Sequence, residues 1–274
     1  MIKTLQVRHV ICALTVALAT WRAGSTADAA EPTTLRVLCY NIHYGQGTDG
    51  RYDVARLANV IKAAKPDLVA LQEVDVGVKR SGRVHQARRL AELTNMSVRY
   101  GPTQHYQGGL YGNAVLTHLP ILDVHIQPLP YTLSTGQRTT YPRGAISVTV
   151  RAPNQLPLRF ISTHFQHNVP EDRLAEAKAI NKFFPLTPAL PSILAGDMNA
   201  VPTSAPVVEL QKHWANAIDP ERTPSAPSQQ PKSRIDYIFY QPAQQFRLKQ
   251  TEVLSESVAS DHRPVLAVFE LLKD

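Results

Sequence analysis

Short β-rich apolar runs alternate irregularly with a few amphipathic stretches, which is the pattern of sheets covered by helices. The runs predict strands over Leu35–Tyr40, Leu68–Gln72, Asn113–Thr117, Ala145–Val150, Leu158–Thr163, Ser192–Ala195, Ile235–Tyr240 and Val265–Glu270. Asp53 reads as the cap of a helix running through Lys62. Between Val84 and Asn95 the helical spacing gathers Ala87, Leu90, Ala91 and Met96, and a third helix is predicted from about Glu171 to Phe184. Pro128 to Pro142 and the Pro/Ser-rich stretch Asp219 to Ser233 read as loops expected to roof a cleft. No repeat is visible, and polar motifs lie on both sides of both loops, so residues 30–274 read as one α/β domain.

The first residues follow another pattern. Basic Lys3 and Arg8, an apolar run from Val10 to Ala19 and the small-residue sequence Ala27-Asp28-Ala29 describe a secretory signal peptide over residues 1–29. A spanning helix needs about 20 apolar residues, and Trp21-Arg22 interrupts this run. The expectation is a secreted or periplasmic monomer with no transmembrane segment after cleavage and no stable protein partner. Cys39 is then the sole cysteine, which excludes an intramolecular disulfide and suits a core position in Leu35–Tyr40. Hydrophobic residues make up 43% of the chain and the net charge is +7, a balance that suits a polyanionic substrate as well as plain solubility. No run of five or more like charges supplies a nucleic-acid tail.

Candidate chemistry sits at the strand ends. Asn41, Glu73, His164, Asp197 and Asn199 each follow a predicted strand, Asp236 lies within one, and Asp261 and His262 precede the last. Hard oxygens with amides and imidazoles between them suit Mg²⁺ or Mn²⁺ and lack the Cys/His spacing of structural zinc. That donor set implies phosphoryl transfer to water.

Tyr40-Asn41-Ile42, Leu71-Gln72-Glu73-Val74, Ser162-Thr163-His164, Gly196-Asp197-Met198-Asn199, Arg234-Ile235-Asp236-Tyr237-Ile238 and Ser260-Asp261-His262-Arg263-Pro264-Val265 resemble, in order, the signature blocks of the endonuclease/exonuclease/phosphatase superfamily. Any one block is weak; their joint order is specific. The resemblance implies a four-layer α/β sandwich of two mixed sheets flanked by helices, with the site at one edge. It further implies that Glu73 is the principal metal ligand, with Asp261 close by and Asn41 holding the network. Asp197 resembles the water-activating carboxylate and Asn199 the amide donor to a phosphate oxygen. Their two-residue spacing places both on one side of an extended segment. Asp236 resembles the carboxylate that orients His262, and His164 resembles the second imidazole of the deoxyribonuclease I, inositol-phosphatase and sphingomyelinase branches. Asn113 resembles a family amide facing the site. Arg143, in Pro142-Arg143-Gly144, resembles a family arginine near the substrate, with a surface salt bridge as its plainer role.

His43, His105 and His167 match no motif and read as surface or cleft-rim residues, Asp67 and Asp75 as solvated strand-end charges. The favoured function is a metal-dependent phosphoesterase acting on a small or lipid-linked phosphate ester. A secreted nuclease is second, on Lys79, Arg80, Arg83, Arg88 and Arg89 around one helix. A catalytically dead binding module is third.

Overall fold

The computed structural model describes Met1, residues 34–187 and residues 190–272. Apart from Met1, the signal-peptide segment lies outside the described residues, and every element below falls within the unit Pro32–Asp274. In chain order these are β1 (Thr34–Asn41), α1 (Val54–Ala64), β2 (Leu68–Val76), α2 (Gln86–Thr94), β3 (Ser97–Tyr106), β4 (Gly109–Thr117), β5 (Ile121–Pro128) and β6 (Gly144–Arg151). Then follow β7 (Pro157–His164), α3 (Pro170–Phe183), β8 (Ser192–Asp197), α4 (Ala205–Leu210), β9 (Ala215–Asn216), β10 (Asp236–Gln241), β11 (Phe246–Val253) and β12 (Val265–Leu271).

Strand alternation builds four layers. In β1, Leu35, Val37 and Cys39 face one way, where they meet Ile146, Val148, Phe160, Ile193 and Ile238 between the sheets. Leu38 and Tyr40 face the other way, onto Leu57 and Ile61 of α1 and Ala87 and Leu90 of α2. In the second sheet Ile161, Leu194, Tyr237 and Phe239 turn outward onto Ala177 and Ile180 of α3 and Val207 of α4. The expected sandwich of two mixed sheets flanked by helices is therefore what forms. Its strand orders are β11-β12-β1-β2-β4-β3 and β5-β6-β7-β8-β10-β9. Each sheet holds one parallel pair, β1 with β2 and β7 with β8, among antiparallel neighbours. The two sheets thus repeat one strand arrangement, a parallel pair with two antiparallel strands on each side, although the sequence carries no visible repeat.

A polar chain ties the sheets together across the apolar interior. Gln72 on β2 accepts from the Cys39 thiol at 3.6 Å and donates to Ser162 Oγ on β7 at 3.2 Å. Ser162 in turn donates to the Leu71 carbonyl at 3.1 Å, so the buried hydroxyl is satisfied on both sides.

All of the strands absent from the sequence-based expectation are edge strands: β3, β5, β9 and β11. An edge strand pairs on one side only and tolerates polar residues on both faces, which removes the apolar signal. β5 illustrates this, with most of its residues exposed. Helix α1 begins as expected, the Asp53 carboxylate accepting from Arg56 N at 2.9 Å. No helix among the described residues is long and apolar enough to cross a membrane.

Candidate active site

Three neighbouring strands carry the centre of the site. In their registers Asp197 lies opposite His164 on the parallel β7 and opposite Asp236 on the antiparallel β10. Three titratable side chains are thereby brought together by sheet pairing alone. From the other sheet, β1 delivers Asn41 beside Gln72 of β2. Asn41 Nδ2 lies 3.1 Å from both Glu73 Oε1 and Asp197 Oδ2, so one amide links the carboxylates of the two sheets.

Two backbone details differ from the sequence reading. Glu73 does not end its strand: β2 continues to Val76, and Glu73 sits within it at φ 58°, where the pairing with β4 shifts register. A non-glycine residue in this region costs about 1–3 kcal/mol and persists only where its surroundings enforce it. Asp197 and Asn199 do not share an extended segment either. Asn199 has φ 48° and donates its backbone N–H to Asp197 Oδ1 at 2.8 Å, a tight Asx-type turn.

His262 Nδ1 lies 2.9 Å from Asp236 Oδ2, and its Nε2 lies 3.8 Å from Asp197 Oδ2. Burial alone would lower its proton affinity, but Asp236 and then Asp197 outweigh burial and raise it well above the usual histidine range. The imidazolium is therefore the favoured form. Asp236 Oδ2 also accepts from Ser225 Oγ at 2.6 Å, which fixes the carboxylate. Asp197 is shifted upward, first by burial and then by the charge of Asp236.

His164 is pushed the other way, well below its ordinary range, by burial and by Arg143. Arg143 Nη1 approaches its Nδ1 at 3.3 Å. A guanidinium only donates, and so does Asn199 Nδ2, 3.0 Å from Nε2; a neutral imidazole accepts at one nitrogen, so the tautomer sets which of the two contacts is a hydrogen bond, with Asp197 Oδ2 3.4 Å from Nε2. Asn199 Nδ2 spends one hydrogen on the Phe165 carbonyl at 3.0 Å. Its other hydrogen lies on the side of His164 Nε2, 3.0 Å away.

These groups line a cleft of about 300 Å³ together with Arg80, Gln104, Tyr106, Tyr111, Tyr141 and His167. Arg143 is 6% exposed, and no carboxylate among the described residues comes within ion-pair distance of it. The plainer expectation of a surface salt bridge is thus overturned. Asn113 is buried and donates its amide to the Gly144 carbonyl at 2.9 Å, so it braces the residue after Arg143 rather than lining the cleft. Asp261 stays 43% exposed, 3.7 Å from His43 Nε2.

The donor chemistry fits a hard divalent cation beside Glu73. One Glu73 oxygen accepts from Asn41, the other accepts no hydrogen bond among the described residues, and Asp261 keeps an exposed carboxylate nearby in sequence to His262. Ligand atoms of Asp197, Asp236 and His262 also lie within 4.8 Å of one another. There, however, the short His262–Asp236 contact already accounts for the arrangement, and an imidazolium has no lone pair to give a metal.

Several residues of the site escaped the sequence reading. Asp75, expected to be solvated, is fully buried, because β2 runs on past Glu73, and it holds Arg80 by two bonds of 2.9 Å. Arg80 therefore faces the cleft, whereas Arg88 and Arg89 pair with Glu92 on the exposed face of α2. Of the two loops, Asp219 to Ser233 does not roof the cleft; it supplies Ser225 as the buttress of Asp236. Tyr141 from the other loop does line it, stacked on His167 with centroids 5.6 Å apart. His167 is accordingly a rim residue, as expected, and His105 is exposed.

The model of the Endonuclease/Exonuclease/phosphatase family matches residues 38–262. Among solved structures the chain resembles an endonuclease/exonuclease/phosphatase from Beutenbergia cavernae, with 27% identity, 87% of this chain and 72% of that chain covered, and a TM-score of 0.74. It shares its fold with a mannosyl-6-phosphatase from Bacteroides thetaiotaomicron, at 19% identity, 87% and 100% coverage and a TM-score of 0.68. The human Nocturnin catalytic domain with bound sulfate is similar at 17% identity, 88% and 96% coverage and a TM-score of 0.66. No curated protein sequence matches the chain. With the family match running from β1 to His262 and the strand ends converging on one cleft, the chain belongs to the endonuclease/exonuclease/phosphatase family.

Proposed function

We propose that this chain is an exported phosphoesterase that hydrolyses a small or lipid-linked phosphate ester with the help of Mg²⁺ or Mn²⁺. The observation that carries the reading is Arg143: a buried cation without a carboxylate partner, opening into a small cleft, calls for an anionic ligand. A bound phosphoryl group would supply that charge.

Each neighbouring group then has a task. Asp197, shifted toward neutrality by burial, takes or orients the proton of the attacking water. The His262 imidazolium, held by Asp236, and the Asn199 amide at the cleft stabilise the charge that builds on the phosphoryl oxygens. His164 stays neutral and keeps Arg143 and Asp197 in register. A divalent ion held by Glu73, with Asp261 and Asn41 beside it, would act as a Lewis acid toward the phosphoryl oxygen. Members of the family are phosphoesterases, and the mannosyl-6-phosphatase of similar fold takes a small phosphate ester.

A secreted nuclease is the second reading. The basic cluster that favoured it is dispersed, since Arg80 is bound to Asp75 and Arg88 and Arg89 to Glu92. Hydrolysis by the purified protein of single- and double-stranded DNA, RNA, a phospholipid, an inositol phosphate and bis-p-nitrophenyl phosphate, with EDTA and with Mg²⁺ or Mn²⁺ restored, separates the two. Metal-dependent cleavage of small or lipid esters with nucleic acid untouched is expected. Cleavage of nucleic acid would promote the nuclease, and turnover indifferent to EDTA would remove the metal. Export predicts a mature chain beginning after Ala29 or Ala30, readable by intact mass of the secreted protein.

A further inference from the structure

Arg80 differs from every other basic residue in the cleft region. Its guanidinium carbon lies 3.6 Å from the Tyr44 ring centroid, 4.7 Å from that of Tyr106 and 5.4 Å from that of Tyr111. Nε and Nη2 are both committed to Asp75, while Nη1 donates no hydrogen bond among the described residues. The base under this group is rigid. Gln86, 1% exposed, accepts from Asp75 N at 3.0 Å and donates to the Tyr44 carbonyl at 2.6 Å, so one buried side chain locks both partners of Arg80. Tyr44 itself has φ 43°, and at the following Gly45, with φ 83°, a Cβ would come within 2.8 Å of the Gln86 amide nitrogen. Backbone strain and a required glycine are being spent to hold a tyrosine under an arginine.

We propose that this wall, Arg80 with Gln104, Tyr106 and Tyr111, recognises the hydroxyl-rich, uncharged part of the substrate, a sugar or related polyol carrying the phosphate. The proposal rests on the phosphoesterase reading and names its substrate class. Asp75 neutralises Arg80, so the wall is not a second anion site. What remains is an N–H edge, an amide that both donates and accepts, and phenol rings, and hydroxyl groups on a compact ring match such a surface. An acyl chain would leave the guanidinium and amide desolvated and unpaired, which is costly. The cleft is small, about 300 Å³, and is lined as well by the stacked Tyr141 and His167, which suits a small molecule.

Titration calorimetry in EDTA tests this without requiring turnover, with methyl phosphate, a hexose 6-phosphate, adenosine 5′-monophosphate and dodecyl phosphate as probes. The hexose phosphate is expected to bind at least about tenfold tighter than methyl phosphate, the preference shrinking to about threefold or less in Arg80→Lys and in Gln104→Ala. Arg80→Lys keeps a cation for Asp75 and so protects the fold. Equal affinity for the hexose and methyl esters, a preference that survives both substitutions, tighter binding of the nucleotide or the dodecyl ester, or no binding at all would each overturn the proposal. Failure of the hydrolysis panel alone would instead strike at the phosphoesterase reading.

Discussion

Two arginines share one cleft and are held in opposite ways. Arg143 is almost wholly buried and has no carboxylate partner among the described residues; Arg80 keeps a side-chain exposure of 20% and is clamped by the buried Asp75. One charge is left open and the other is closed. The open one borders His164, Asp197 and Asn199, where an anion would react, and the closed one stands among phenol rings, where nothing charged is needed. Burial of a cation is thus informative only together with its partner list: on the function proposed above, the lone guanidinium would meet the ligand's charge and the paired one a surface of fixed shape.

That division can be broken by experiment. The largest effect belongs to the chemistry beside Arg143: Asp197→Asn should lower kcat by about 10³-fold or more on every ester while the far-ultraviolet spectrum is unchanged. A near-normal rate would remove Asp197 from proton transfer. Next comes the same substitution at both arginines. Arg80→Met strands the buried Asp75 carboxylate and should cost about 3 kcal/mol in urea unfolding, whereas Arg143→Met, which strands no carboxylate, should cost little or stabilise. Arg143→Met should instead reduce kcat by about 10²-fold irrespective of the alcohol group. Equal stability losses in the two variants would erase the distinction between them.

The smallest effect concerns Glu176 on α3, whose Oε2 accepts from Gln166 N at 2.9 Å while its Oε1 is buried without a partner. Burial raises its pKa from 4.5 to about 8, and Arg143 opposes that rise. The folded chain then binds a proton that the unfolded chain has released, so its stabilising contribution is full below pH 4.5 and is lost as pH rises through about 8. Over that window stability should decline as pH rises, and Glu176→Gln should flatten the profile. An unchanged slope in the variant would place the titration elsewhere.

The centre of the site was legible because its residues lie in short local blocks at the ends of central strands, where apolar patterning is strongest. Asp197, His164 and Asp236 needed only the registers of β7, β8 and β10 to meet. Asp75 and Arg80 were not legible. Asp75 alternates with Glu73 as a strand-end charge would, and only the continuation of β2 past the register shift buries it. Ser225 lay in a stretch whose composition says loop and nothing about what the loop supports. The edge strands failed for a related reason, since half-paired backbone imposes little on side-chain polarity.

The Asn41 amide spans carboxylates on different sheets, and the Gln72–Ser162 contact ties those sheets a few residues away. The geometry of the candidate site is therefore a property of the gap between two sheets that share one apolar interior. Under denaturant, turnover should be lost no later than the strand signal in circular dichroism, and activity then gauges whether the sandwich is shut.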